Sequence, residues 1–293
     1  MPGFVALEKL NPKLLEPHLA GAARVLKNYT TIFIFEDGHF GSGTFVRIGA
    51  FNGILTAYHV AEHVFKFPLF HFCMDVVEQE IEANPETMQH VPIGIPGQDL
   101  PANTGPDLSL LIIRNPTLAQ AIAQTCGKTF YDLDSVEVGC LNAPTYPKAW
   151  AFTGTYEDSY KRIIEDYKNG LPLSKLTNFV GSGFLNCEIT RDKAGFDYVR
   201  LLVPAGEFKF PHNYMGLSGG GFWHVPFEIS GTDINTIGFR SPVLAGVQFS
   251  QSDPNLGTRE RILFGHGPAS VYKVARKTLE SKTSSLLPLS QSM

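Results

Sequence analysis

Leu55-Thr56-Ala57-Tyr58-His59-Val60 is the stretch on which the reading of this chain turns. An apolar strand, Gly53 to Ala57, ends and delivers a histidine just past its last residue. Two distant segments supply what that histidine needs. Pro106-Asp107-Leu108-Ser109-Leu110-Leu111-Ile112-Ile113 opens a strongly apolar strand with an aspartate, and Gly216-Leu217-Ser218-Gly219-Gly220-Gly221 carries a serine inside a glycine-rich loop. An imidazole, a carboxylate and a hydroxyl are the groups required to activate a hydroxyl for acyl transfer.

Each segment alone has a plainer reading. His59 is one of 9 histidines, most of which in any protein are packed or surface residues. Asp107 follows Thr104-Gly105-Pro106, where an aspartate commonly serves a turn. Ser218 among glycines is compatible with a tight loop and nothing more. Their joint setting adds weight. Strands starting at Gly43 and Ile54 precede the histidine, a strand at Leu108 follows the aspartate, and Val243 to Phe249 follows the serine loop. The spacings, 48 residues (107 − 59) and 111 residues (218 − 107), leave room for hairpins in the first interval and for a crossover and most of a second barrel in the other.

The order His, Asp, Ser and the flanking residues resemble the trypsin-like (chymotrypsin-fold) serine peptidases, in the manner of their leaderless bacterial type, whose histidine segment reads Leu-Thr-x-x-His-Val. The resemblance implies a mainly β fold of two packed six-stranded barrels with the site in the cleft between them. It implies His59 as general base, Asp107 as its orienting partner and Ser218 as nucleophile, with the backbone N–H groups of Gly216 and Ser218 as the oxyanion hole. Counting from Ser218 places His212 and Asn213 near the base of the substrate pocket, and Phe249, Ser250 and Gln251 along its edge. No aspartate stands at that base, which disfavours Arg or Lys in the substrate. His212 favours an acidic side chain or shortens the pocket, and Gln251, where the family often has glycine, narrows the entrance. Leu217 stands where digestive members carry an aspartate that pairs with a new N-terminal amine, so the loop must be preformed by packing or shaped by a substrate or partner.

The expected activity is that of a serine endopeptidase of narrow specificity, working through an acyl-enzyme with no cofactor and no metal. Its expected partners are a protein or peptide substrate and, from the same resemblance, a dedicated partner protein. The alternative is a catalytically inactive trypsin-like fold serving as a binding or scaffold module. An α/β-hydrolase esterase, for which Gly216-Leu217-Ser218-Gly219-Gly220 would be the elbow, needs the serine first in the order, and here it comes last.

With 293 residues, 43% of them apolar, the chain can bury a large core, and 28 glycines and 20 prolines suit many short strands joined by turns. A formal charge of −4 without a long charged run argues against nucleic acid or a membrane surface as a partner. Met1 to Lys9 lacks the basic and apolar regions of a signal peptide, and 4 cysteines in no Cys-x-x-Cys arrangement offer no zinc framework. Val60 occupies the position after the histidine where secreted animal relatives carry a bridged cysteine. These features together predict a cytoplasmic setting.

Along the chain, Asn11-Pro12 caps an N-terminal helical segment within residues 1–28, with an apolar stripe from Leu14 to Leu26. Barrel 1 is expected over 29–116, with strands Thr30 to Glu36, Gly43 to Ile48, Gly53 to Ala57 and Leu69 to Met74, and with 76–106 as acidic, proline-rich loop. Pro116 to Asp132 reads as a helical or irregular connector. Barrel 2 is expected over 133–280, starting at Val136 to Cys140, with an inserted helix over 155–170 and a C-terminal helix from Val271 to Leu279. Residues 281–293 read as a loose tail.

Overall fold

A computed structural model of the chain describes residues 12–73, 80–97, 105–124, 126–135, 148–157, 179–183, 185, 187–192, 194–204, 206, 211–229, 237–255 and 260–282. The fold is mainly β. Two curled sheets, antiparallel but for one short pairing, lie against each other, and the chain completes the first before starting the second.

The first sheet contains β1 (Thr30–Ile34), β2 (Phe40–Ile48), β3 (Phe51–Thr56), β4 (Phe70–Cys73), β5 (Glu80–Ala83), β6 (Met88–Gly94) and β7 (Leu108–Ile113). Their order across the sheet is β5-β4-β1-β2-β3-β7-β6, and a two-residue strand, β8 (Tyr131–Asp132), pairs parallel with β2. The second sheet contains β9 (Lys148–Gly154), β10 (Phe179–Gly183), β11 (Cys187–Arg191), β12 (Asp197–Pro204), β13 (Gly221–Ile229), β14 (Ile237–Phe239), β15 (Val243–Gln251) and β16 (Glu260–His266). Its order is β10-β9-β13-β15-β16-β12-β11, with β14 on β13. Each sheet thus holds eight strands among the described residues, two more than the six expected for each barrel.

The two-residue period of a strand explains how the sheets share a core. In β7 every residue is buried, and the even positions Leu108, Leu110 and Ile112 join a cluster with Phe152, Trp223 and Leu244 of the second sheet. The odd positions Leu111 and Ile113 point the other way, into a cluster with Phe33, Phe45, Phe70 and Phe72 inside the first sheet. A strand buried on both faces is nearly all apolar, which is why Leu108 to Ile113, with Ser109 as its one polar residue, shows no sustained alternation in sequence. Asp107 enters the site immediately before this rigid strand.

Besides a 3-10 turn at Pro85–Thr87, four helical pieces occur among the described residues. Pro12 does open α1 (Pro12–Lys27), whose Leu15, Ala22 and Leu26 are buried. The short α2 (Tyr58–Val64) follows β3 directly, so His59 sits in a first helical turn and not in a loop. The connector is α3 (Pro116–Gln124) running into β8. A π-helical run, Ala269–Val274, continues as α4 (Ala275–Lys282). Buried Asp197 caps that run: its carboxylate accepts from the N–H groups of Ala269 (2.9 Å) and Ser270 (2.7 Å) and from the Ser270 hydroxyl (2.8 Å). Among the described residues no helix is long and apolar enough to cross a membrane.

One expectation is corrected. Residues 76–106 are not loop throughout, because they contain β5 and β6. In β6 the buried positions Met88, Val91 and Gly94 fall at every third residue, and Pro92 precedes an irregularity in its pairing with β7. A bulged edge strand of this kind lacks the alternation by which a strand is recognised. The strand expected at Val136 to Cys140, the tail from 283 on and the 155–170 helix beyond Glu157 lie outside the described residues.

Candidate active site

His59 and Asp107 are brought together because β3, which leads to His59, pairs with β7, which Asp107 precedes. The His59 Nδ1 lies 2.7 Å from Asp107 Oδ2, and the His59 backbone N–H donates to Asp107 Oδ1 at 3.1 Å. Both carboxylate oxygens are therefore committed to one residue, which fixes the position of the imidazole as well as its orientation. A carboxylate acceptor holds the proton on Nδ1 and leaves Nε2 as the basic nitrogen. Asp107 is 5% exposed, whereas half of the His59 side chain is open to solvent. Burial strengthens the attraction between the carboxylate and a protonated imidazole, while the open side of the ring stays reachable.

A second histidine, which sequence reasoning missed, stands behind Asp107. The Asp107 backbone N–H donates to His266 Nε2 at 2.9 Å, and His266 is fully buried at the end of β16. Burial pushes its pKa down to about 4, against the opposing pull of Asp107, Asp197 and Asp192. His266 is thus neutral at physiological pH, its Nε2 accepts, and the proton is on Nδ1, which has no partner among the described residues. Nothing in the Phe-Gly-His-Gly segment distinguishes it from an ordinary strand end.

Ser218 comes from the second sheet, on the loop entering β13, and its hydroxyl donates to the Phe249 carbonyl on β15 at 3.2 Å. The loop is strongly constrained. Gly216 has φ +95° with the Phe40 ring against it, and Gly219 has φ +91° with the Ser42 carbonyl where a Cβ would sit, so no other residue fits either position. The Gly219 N–H donates to the Gln248 carbonyl (2.7 Å), and the Gln248 N–H donates to the Gly220 carbonyl (2.8 Å). Ser42 on β2 reaches across from the other sheet. Its N–H donates to the Ser218 carbonyl (2.8 Å), its hydroxyl donates to the Gly216 carbonyl (2.7 Å), and that hydroxyl accepts from the Thr155 N–H (3.0 Å). The Thr56 hydroxyl donates to the Ser42 carbonyl at 2.8 Å, tying this strand to the one that leads to His59. Gly41 and Gly43 flank Ser42 in the sequence, but each faces only side chains, Val60 for Gly41 and Ile54, Phe33 and Thr31 for Gly43, so they do not signal the contact that Ser42 makes.

Leu217 is fully buried in the cluster shared by the two sheets, and its side chain packs against Gly154. The loop conformation therefore exists without an ion pair at this position. In this structure Leu217 is held by local packing against Gly154. The N–H groups of Gly216 and Ser218 donate to no other group among the described residues.

His59, Asp107, Gly216, Ser218, Phe249, Ser250 and Gln251 all line a single cleft of about 490 Å³, together with buried Tyr214 and exposed Met215. Two expected pocket residues do not line it. His212 is exposed and lies against Gly206, and Asn213 stands behind Gln251. A hydrogen-bonded strut beside the cleft is built on Gln251. Gln251 Oε1 accepts from the Tyr214 N–H (3.0 Å) and from Arg261 Nη1 (3.3 Å), while its Nε2 donates to Asn213 Oδ1 (2.5 Å). Asn213 in turn donates to Glu157 Oε2 at 2.8 Å. Gln251 thus ties Tyr214, Asn213 and Arg261 together at one side of the cleft.

No sequence-family model matches the chain, and no curated protein matches it. Among solved structures, a serine endoprotease from Yersinia pestis aligns over 89% of this chain and 66% of its own, at 15% identity and a TM-score of 0.45. The HtrA-type protease AlgW with a tripeptide aligns over 89% of this chain and 63% of its own, at 14% identity and a TM-score of 0.44. The chain thus spans less than two thirds of the length of either, and at these values the likeness assigns it no activity, substrate or partner.

Proposed function

We propose that the protein is a serine endopeptidase that cleaves peptide bonds of a protein substrate through an acyl-enzyme. The observation that supports this best is the commitment of both oxygens of buried Asp107 to His59, at 2.7 and 3.1 Å, in a cleft that also holds Ser218. A histidine so oriented presents Nε2 as base. Ser218 leaves its hydrogen bond to Phe249, gives its proton to that nitrogen and attacks the substrate carbonyl. The imidazolium that forms is stabilised by Asp107 and then protonates the leaving amine; water repeats the sequence to release the acyl group. The N–H groups of Gly216 and Ser218 take the developing oxyanion, a contribution typically worth about 3 to 4 kcal/mol per donor.

The Gln251 strut supports a narrow preference for small side chains next to the scissile bond, because a long or aromatic one would have to break its hydrogen bonds to Tyr214 and Asn213. The reading is tested with a fluorophosphonate probe on the intact chain. Stoichiometric labelling of Ser218, absent in Ser218→Ala and His59→Ala, is expected. An unlabelled wild-type protein that also leaves a broad peptide library uncut would favour the inactive binding module.

A further inference from the structure

We propose that Asp37, His39 and His63 form a binding site for a Zn2+ ion that clamps the β1–β2 turn onto α2. Asp37 and His39 lie in the turn between β1 and β2, and His63 lies on α2, one helical turn after His59. The three offer one carboxylate oxygen and two ring nitrogens, all within 4.8 Å of one another. His39 Nδ1 (2.9 Å) and His63 Nε2 (2.8 Å) converge on the same oxygen, Asp37 Oδ2, from two different elements.

The donor set selects the metal. Two imidazoles and one carboxylate suit Zn2+ and its transition-metal neighbours, whereas Mg2+ and Ca2+ require oxygen ligands. Tetrahedral Zn2+ with bonds of about 2.0 to 2.1 Å places its ligand atoms roughly 3.3 to 3.4 Å apart. The present N–O separations of 2.9 and 2.8 Å must therefore open by about half an ångström, and the two ring nitrogens, within 4.8 Å of each other, must come to the same spacing. His39, whose side chain is 71% exposed, is free to make that movement. His63 is held: its ring stands edge-on to Phe35 at 4.7 Å and against Phe67 at 5.2 Å, leaving the side chain 19% exposed. One fixed ligand, one adaptable ligand and an anion between them leave a fourth position for water. The ring nitrogens that now face Asp37 must present lone pairs to the ion, their protons moving to the other ring nitrogen.

The test is a Zn2+ titration of the tag-free, chelator-stripped full chain, with Co2+ as a spectroscopic probe. One equivalent per chain is expected, with the visible bands of a tetrahedral Co2+ centre and a Zn2+-dependent rise in thermal unfolding temperature that Mg2+ does not reproduce. His39→Ala and Asp37→Asn, both at an exposed turn, should each lose more than the ~10- to 100-fold in affinity that outer-shell partners of a metal carry. His63→Ala should do the same; if it unfolds, His39→Ala decides alone. Absence of saturable binding, or binding that persists unchanged in His39→Ala, overturns the proposal.

Discussion

The Ser42 hydroxyl donates to the Gly216 carbonyl at 2.7 Å, joining a strand of the first sheet to a loop 174 residues later in the chain. The same residue holds the Ser218 carbonyl through its N–H and accepts from Thr155. Gly216 and Ser218 are the two residues whose N–H groups would receive an oxyanion. Their orientation is thus set from the opposite sheet, by the strand pair that also leads to His59.

Ser42→Ala therefore tests that tie. It orphans the buried Gly216 carbonyl and Thr155 N–H, which should cost about 1 to 3 kcal/mol of stability in chemical denaturation. Turnover should fall by roughly tenfold or more with KM changed less, since the affected donors matter mainly in the transition state, yet by less than the ~100- to 1,000-fold of deleting an oxyanion donor outright. Wild-type kcat in a measurably destabilised Ser42→Ala protein would show that the loop keeps its shape without this bond.

Asp107→Asn is the most informative change in the site, because it removes charge while keeping shape. An amide at 2.7 Å from His59 Nδ1 can donate its own hydrogen and so stabilise the wrong tautomer. Peptide hydrolysis is expected to drop by about 10⁴-fold, close to the loss in Ser218→Ala or His59→Ala, with the unfolding transition retained. Full hydrolysis by folded Ser218→Ala would sink the mechanism.

Activation is expected to need no chain cleavage. Leu217 is already buried in the shared core, and residues Thr30–Ile34 and Phe40–Ile48 are paired strands, so a cut between Tyr29 and Gly43 would break the first sheet rather than free a useful amine. Uncut protein, verified by intact mass, should therefore label with the serine probe. Labelling that appears only after limited proteolysis in that window would reverse this reading of Leu217.

His266 makes a pH prediction with a definite sign. Burial holds its pKa at about 4 in the folded chain against an ordinary 6.5, so between these limits the unfolded chain binds the extra proton. Stability is complete above pH 6.5 and declines as the pH falls toward 4, by on the order of 3 kcal/mol in total. Urea unfolding at a series of pH values should show the decline. In His266→Gln, whose side-chain oxygen can still accept from the Asp107 N–H, it should flatten. An unchanged slope in that variant would assign the acid sensitivity to other groups.

Much of this protein was legible in local residue patterns. The apolar run Leu108 to Ile113, the short strand before His59, the proline at the head of α1 and the glycines around Ser218 all report on their own immediate backbone, and backbone preferences are short-range. The residue types at His59, Asp107 and Ser218 and their order were readable from the same short segments. The irregular β6 was not, since its burial follows a bulged pairing with β7 and no two-residue period. Nor were Ser42, His266 and the Gln251 strut. Each acts through a partner far along the chain, 174 residues for Ser42 with Gly216, 159 for His266 with Asp107 and 38 for Gln251 with Asn213. Whether a buried polar group finds its partner depends on how two sheets curl and meet, and that geometry is a property of the packed whole that no single segment encodes.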